Sequence, residues 1–268
     1  MIATNKYALK QTVDTLVFDP ADGSHLATIE DAQSMTLTNG SESVDATGRD
    51  GALLASWDTS KTARLSGSNG LISEGILAVQ TGADVETVTD FVGAMISDVL
   101  ETTDGLKATT VYTASSSVVG NELQWLYVNN ADGSLGRKYS QSSIADATHF
   151  SYDPATKVIT LPTSAITAGS KITVFYTPVI SSAKRIRNEA GKFPKVCKVI
   201  SNALFQDVST GKDYHGQIIF SKAKASGNFD FTYGDSAAVQ AFEFTAMTGC
   251  GVNALWDIII FDEDDIVA

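Results

Sequence analysis

Residues 48–70 read GRDGALLASWDTSKTARLSGSNG and residues 71–82 continue LISEGILAVQTG, which places two different periodicities side by side. On both sides of Asp58–Lys61, apolar residues alternate with polar ones, the period-2 pattern of a β-hairpin with one apolar face. The second segment instead spaces its apolar residues at helical intervals, namely Leu71, Ile72, Ile76 and Val79. The stretch therefore predicts a hairpin followed directly by a short helix.

The predicted helix spans about residues 70–81. Ser68 or Asn69 can cap its N-terminus, and Gly82 can end it. The segment SGSNG, directly before the predicted helix, has the glycines and hydroxyls of a phosphate-binding loop, but no P-loop lysine follows it. Because the neighbouring strands form hairpins and not βαβ units, a turn from a strand into a capped helix explains these glycines better.

The rest of the chain has the same β character. Asn39–Gly40 separates the extended runs SMTLT and SESVDAT, and Asn-Gly between two such runs is a hairpin signal. Further short alternating segments follow, with turns at Asp153–Lys157 and Thr210–Lys212. The predicted fold is mainly β, an antiparallel β-sandwich or barrel with one short flanking α-helix.

No linker divides the chain, so the sequence predicts a single domain over residues 1–268. Within it, residues 1–33 are expected to form an extended N-terminal arm with turns. Residues 115–190 are a candidate inserted or elaborating β region, bounded by SSSVVGNE and SSAKRIRNEAGKFP.

Composition and charge exclude several classes of protein. The 268 residues are 43% hydrophobic and 19% charged, as in globular proteins, and no apolar run is long enough to span a membrane. The net charge of −12 disfavours tight wrapping of nucleic acid, which needs clustered lysine and arginine. The same charge suits a surface past which DNA moves without sticking, since it repels a polyanion.

The sequence contains no recognisable catalytic or cofactor-binding pattern. His25, His149 and His215 have no Cys, His or Glu partners at metal-ligand spacing. Cys197 and Cys250 match no zinc pattern and are expected to be buried, reduced thiols. We therefore expect no cofactor, no metal and no enzyme activity, although a catalytic triad can be assembled from distant positions.

Two charged clusters are candidate contact sites. The only basic cluster is a candidate inter-subunit loop, and the alternative is an ordinary solvated loop. For the acidic C-terminal run there are three interpretations: a solvated end, the lining of a channel, or a partner for the basic loop of a neighbouring subunit. Their residues are Lys184, Arg185, Arg187 and Lys192 in the basic cluster, and Asp262, Glu263, Asp264 and Asp265 in the acidic run.

The order of these features resembles the tail tube (major tail) proteins of tailed bacteriophages. The resemblance rests on the segment from Ala46, on the helix LISEGILAVQTG that follows it, on the middle β region from GNELQWLYV to KITVFYTP, and on the strand series that begins at Phe193. Together these segments cover about three quarters of the chain.

The resemblance implies a structural virion protein that forms hexameric rings, which stack into the tail tube through which DNA is ejected. It also implies an early hairpin loop that reaches the next ring, here Asn39–Ala52 with Gly48, Arg49, Asp50 and Gly51. Implied partners are further copies of the chain, the tape measure, the tail terminator and, in a contractile tail, the sheath. Assembly in the host cytoplasm would place the protein in the phage tail, with no membrane contact.

Two other functions fit the sequence. One is a different phage head, decoration or tail structural protein. The other is a β-sandwich module that binds carbohydrate or a cell surface, which predicts exposed aromatic residues converging on one face. Trp57, Trp125 and Trp256 are the candidates for such a face, but their alternating strands favour core positions for them.

Overall fold

A computed structural model describes residues 6–103, 106–115, 122–162, 166–230, 239–249 and 253–266, so Cys250 lies outside the described residues. Within this part the fold is mainly β with one α-helix, as predicted. The elements are β1 (Tyr7–Phe18), β2 (His25–Ile29), β3 (Ala32–Thr47), β4 (Leu53–Asn69), α1 (Glu74–Thr81), β5 (Val85–Phe91), β6 (Ile96–Glu101), β7 (Lys107–Thr109), β8 (Leu123–Asn129), β9 (Leu135–Gln141), β10 (His149–Asp153), β11 (Val158–Thr160), β12 (Lys171–Tyr176), β13 (Ile180–Ile186), β14 (Val196–Asp207), β15 (Asp213–Ala225), β16 (Gln240–Ala246), β17 (Asp257–Phe261) and a 3-10 helix (Glu263–Asp265).

The strands form antiparallel sheets, and one of these sheets is nearly closed like a barrel. Strands β9 and β10 pair in parallel. The largest sheet has the order β2-β1-β14-β15-β16-β4-β3, and β17 also pairs with β15. A second sheet has the order β6-β12-β8-β9-β10-β11-β7, and β5 pairs with β13 in a separate two-stranded sheet.

The first hydrophobic core lies against the largest sheet. Along β14, every second side chain is buried, from Cys197 to Asp207, which is the period expected of a strand with one face packed. Helix α1 adds Ile76 and Val79 to this core. Its other fully buried large side chains include Ile29, Leu65, Phe220 and Phe244.

The helix begins later than predicted. Ser73, and not Ser68 or Asn69, is its N-cap, and the Ser73 hydroxyl accepts a hydrogen bond from the Ile76 backbone N–H at 3.4 Å. Asn69 belongs to β4, where it pairs with both neighbouring strands, and this pairing outweighs its capping preference. Gly82 ends the helix with φ +71°, as predicted.

The predicted turns at Asn39–Gly40 and Asp58–Lys61 are wrong. Both segments lie inside continuous strands, where Asn39 pairs with Ala63 and Gly40 with Thr62. A register irregularity between Glu42 and Ser43 absorbs one extra residue of β4, so the strand passes through DTSK without turning. Turn propensity is a local signal, and here the pairing of two long strands overrides it.

The second sheet surrounds a core of its own. Phe150, Leu126, Ile159, Ile172 and Tyr176 are fully buried there. The Tyr176 hydroxyl donates to Asp98 Oδ2 at 2.7 Å and accepts from the Tyr112 backbone N–H at 3.1 Å, so the polar end of this buried ring is satisfied.

The chain divides into two compact units. The first combines Met1–Val85 with Ile186–Ala268, and the second is Glu86–Arg185, which contains most of the region 115–190. From Tyr7 onward, the segment expected to be an N-terminal arm forms β1 and β2 of the largest sheet. The single domain over residues 1–268, with an inserted or elaborating region at 115–190, stays a prediction.

Candidate assembly surface

The distal halves of β3 and β4 form a two-stranded ribbon, residues 40–62. Strand β16 pairs with β4 only from Arg64 to Asn69, so beyond that point the two strands have no third partner among the described residues. Every side chain from Ser41 to Thr62 is exposed or half-exposed. The ribbon therefore presents both faces to solvent.

The two faces of the ribbon differ in polarity. One carries the cross-strand pairs Val44–Trp57 and Ala46–Ala55, while the other carries Asp45 and Ser56, joined by a 2.6 Å hydrogen bond from the Ser56 hydroxyl. Trp57 is 54% exposed, and Leu54 near the turn is 71% exposed. Contiguous apolar side chains in water are a mark of interaction surfaces, because their burial releases about 25 cal/mol per Å².

A tight turn closes the ribbon at Gly48–Gly51. The Gly48 N–H donates to the Ala52 carbonyl at 2.8 Å, and the Gly51 N–H donates to the Gly48 carbonyl at 3.0 Å. Gly51 has φ +75°, a conformation that favours glycine. Arg49 and Asp50 are exposed at the tip. These four residues thus lie where an intermolecular contact is accessible, and the contact itself stays a prediction.

The predicted basic loop is only partly a loop. Lys184 and Arg185 lie on β13, because this segment pairs with β5. The Arg185 guanidinium binds Glu86 Oε2 through Nε at 3.0 Å and Nη2 at 2.5 Å. Lys192 is 3.9 Å from Glu189. Arg187 follows β13. The cluster's positive charge is therefore offset in part by carboxylates of the same chain.

The acidic end is not extended. Glu263–Asp265 form a 3-10 turn that Asp262 caps. Asp262 binds Lys212, which lowers the pKa of the Asp262 carboxyl, and Glu263 lies 3.1 Å from His215 Nε2. Asp264 and Asp265 are exposed. Two of the four predicted contact residues thus have partners within the chain.

The described residues contain no group of three His, Cys, Asp or Glu side chains able to hold a metal ion. Burial raises the pKa of the Cys197 thiol to about 12, which suppresses the reactive thiolate. His149 binds Asp146 at 2.9 Å in an exposed turn. In the described part of the chain no helix is long and apolar enough to cross a membrane.

Two of the three tryptophans differ from their predicted core positions, whereas Trp256 packs against a core. Trp57 stands on the ribbon, and Trp125 is 38% exposed in the second unit. Trp256 is half-buried against the first core, and its Nε1 donates to Asn39 Oδ1 at 3.3 Å. The polar sequence DTSK beside Trp57 was the available signal that this strand leaves the core.

Residues 7–253 match the YomU/Tube protein family. The chain belongs to this family. Membership points to a phage tail tube protein, a component of the virion's tail, and it confirms the resemblance found in the sequence. No curated protein matches the sequence.

The family match covers the whole ribbon of this tail tube protein, the whole second unit and most of the first. It includes Gly48–Gly51 and the basic cluster at 184–192. It ends at Asn253, before β17 and the acidic turn Glu263–Asp265. The family pattern therefore contains the ribbon and not the acidic end.

Proposed function

We propose that this tail tube protein forms hexameric rings that stack into a tube, and that the ribbon of each subunit contacts the next ring. The observation that carries the proposal is the ribbon itself, which extends beyond the third strand of the sheet and exposes an apolar face with Trp57. A contact between a ribbon and a different surface of the next subunit is heterologous. Repeated contacts of this kind build open, stacked assemblies.

The charge of the first unit supports passage of DNA through the tube. This unit holds 22 acidic and 12 basic residues, whereas the second unit holds 9 acidic and 7 basic residues. A wall with excess carboxylate repels the phosphate backbone and so keeps DNA moving. In this proposal the protein is a structural, non-enzymatic part of the virion, assembled in the host cytoplasm, and its partners are further copies, the tape measure, the tail terminator and, in a contractile tail, the sheath.

Negative-stain microscopy of the purified protein tests the proposal. We expect rings and tubes from the wild type, and loss of stacking in Trp57→Ser, Arg49→Glu and Asp50→Lys, with circular dichroism unchanged. Lys171→Glu, a charge reversal at an exposed position of the second unit, is the control and should form normal tubes. A wild type that stays monomeric at high concentration contradicts the proposal, and normal tubes in all three ribbon variants contradict the role of the ribbon.

A second candidate function concerns the second unit. Trp125 packs edge-on against Phe175, with ring centroids 6.2 Å apart, and Tyr127 packs against the same ring at 6.1 Å. Lys138 Nζ lies 5.6 Å from the Trp125 ring. Part-exposed aromatic rings beside a polar donor are suited to binding the apolar face of a sugar. Binding on a glycan array that disappears with Trp125→Ala supports this function, and an array without signal counts against it.

A further inference from the structure

The first unit has an open groove between β1 and the base of β3, with a volume of about 840 Å³. From Tyr7 to Asp14, β1 pairs with β14 alone among the described residues, and β3 pairs with β4 alone. The groove thus lies between two strands whose facing edges have no partner. Unpaired strand edges are normally covered, often by another chain.

The walls of the groove combine apolar side chains with carboxylates. Leu9, Val13 and Leu71 are exposed apolar residues on its walls. Glu30 and Asp31 also line it, and neither carboxylate has an ion-pair or hydrogen-bond partner in the described part of the chain. Much of the remaining lining is polar, and it includes Lys10, whose ammonium already pairs with Asp213. The groove therefore offers exposed apolar side chains beside two unpaired carboxylates.

Phe193 has the complementary chemistry. Its side chain is 74% exposed, in the segment between β13 and β14. Arg187, Lys192, Lys195 and Lys198 flank it in sequence, and Glu189 is the only acidic residue between positions 186 and 198. Lys195 pairs with Asp84 at 2.9 Å, whereas Lys192 lies 3.9 Å from Glu189, at the limit of an ion pair. An exposed aromatic ring in a basic segment matches a groove that carries exposed apolar side chains and two carboxylates.

The backbone that carries Phe193 is fixed. The Lys195 N–H donates to the Val79 carbonyl of α1 at 2.9 Å, and the Lys192 N–H donates to the Glu189 carbonyl at 3.0 Å. The Phe193 carbonyl packs so closely on Gly82 that a Cβ at Gly82 would lie 2.0 Å from its oxygen. Pro194 restricts the backbone further. A side chain held out on a rigid backbone loses little entropy on binding.

We propose that Phe193 of one subunit inserts into the groove of a second copy, with Lys192 approaching Glu30 and Asp31 of that copy. The occupant is another copy because Phe193 is exposed and is not among the residues that line the groove of its own chain. The contact joins two different surfaces, so it closes into a ring when the rotation between neighbours permits. This inference rests on the proposed assembly into rings and identifies its lateral contact.

The first test compares Phe193→Ala with Ile144→Ala, a control that removes an equally exposed side chain, 75% against 74%. Light scattering would measure the concentration at half-assembly. Truncation of a central aromatic anchor should raise it by about 30-fold in Phe193→Ala, the effect of a hot-spot residue, and leave it unchanged in Ile144→Ala. Circular dichroism should be the same in both variants. If the wild type assembles and the Phe193→Ala variant assembles equally well, the inference is overturned while the proposed function stands. A wild type that never assembles overturns both.

The second test identifies the acceptor. Chains with Phe193→Cys and chains with Leu71→Cys are mixed under mild oxidation, and peptide mapping locates the disulfides. A 193–71 bond that forms only in the mixture supports the inference. Assembled material without the 193–71 bond overturns the inference. Leu71→Cys chains are also mixed with Leu54→Cys chains; if a 71–54 bond forms there and no 193–71 bond forms, the groove holds the ribbon and the inference is overturned. Lys192→Glu should weaken assembly, and the added change Glu30→Lys should restore it; absence of this rescue contradicts the charge pairing.

Discussion

The two compact units have similar sheets but very different charge. Each is built on a sheet of seven or eight strands around its own core. The first unit has 10 more acidic than basic residues, and the second has 2 more. Self-repulsion lowers the stability of a compact state, so the excess charge of the first unit is not explained by folding. The comparison indicates a functional constraint on the first unit that the second does not share.

The units also differ in how the chain builds them. The first needs two distant segments, whereas the second is one continuous segment, Glu86–Arg185. Strands β5 and β13, at the beginning and end of that segment, pair with each other. An insertion whose two ends lie together can unfold without separating the strands of its host. We therefore expect two independent unfolding transitions.

The largest expected effect comes from one core truncation in each unit. Phe220 and Phe150 are both fully buried, so Phe220→Ala and Phe150→Ala should each cost about 3–5 kcal/mol. By differential scanning calorimetry, Phe220→Ala should lower only the transition of the first unit, and Phe150→Ala only that of the second. Ring formation should be lost in Phe220→Ala alone. A single transition that both variants lower equally would show that the cores are coupled.

The sequence predicted those elements whose signals are local and agree with the tertiary packing. The alternating strands, the helix and its end at Gly82 belong to this class. The Asn39–Gly40 and Asp58–Lys61 turns failed because partners about 20 residues away along the chain keep both segments extended. Such cross-strand pairing is not visible in a short window of sequence.

The candidate site was predictable only in part. The resemblance implies a hairpin loop that contains Gly48–Gly51, and the structure places these residues at the ribbon tip. Trp57 was expected in a core, because alternation shows that one face of a strand is apolar without showing what that face meets. The groove beside Leu9 and the exposure of Phe193 depend on which strand edges remain unpaired, and no local pattern in the sequence reports that.

A second, smaller effect should appear within the first unit when glycines with positive φ are replaced. Gly82 and Gly23 have φ +71° and +74°, but only at Gly82 would a Cβ meet the Phe193 carbonyl oxygen. Left-handed strain should cost about 1–2 kcal/mol in Gly23→Ala. Gly82→Ala should lower the free energy of unfolding by about 3 kcal/mol, because overpacking against the Phe193 carbonyl adds to this strain. Equal losses in urea denaturation of the first unit would contradict the close contact between the helix end and Phe193.

The second unit offers a polar counterpart. Tyr176→Phe removes the hydroxyl that donates to Asp98 and accepts from the Tyr112 N–H. Because a buried N–H then loses its acceptor, the transition of the second unit should fall by about 1–3 kcal/mol. Tyr127→Phe is the matched control, since the half-exposed Tyr127 hydroxyl has no hydrogen bond within the described residues. A shift in the first unit's transition, or equal effects of both variants, would count against separate units.

The smallest expected effect is the pH dependence of the pair Asp262–Lys212 in the first unit. Lys212 lowers the pKa of Asp262 below its ordinary 3.8, and Asp262 raises the pKa of Lys212 above its ordinary 10.5. The contribution of the Asp262 carboxylate to the stability of the fold is full above pH 3.8 and is lost as the pH falls through its lowered pKa. The contribution of Lys212 to stability is full below pH 10.5 and is lost as the pH rises through its raised pKa. Asp262→Asn retains a side-chain oxygen for the cap, so it tests the charge alone.

The wild type should therefore melt slightly above Asp262→Asn from about pH 5 to 9, and the difference should close toward pH 2 and shrink in 1 M salt. Thermal scans across pH would measure both trends in the first unit's transition, with the second unit's transition as an internal reference that the variant leaves in place. A difference that persists unchanged at pH 2 would mean that Asp262 stabilises the turn through packing. In that case the charge of Asp262 would contribute nothing to the fold of the first unit, and its carboxylate would be free to serve the tube surface.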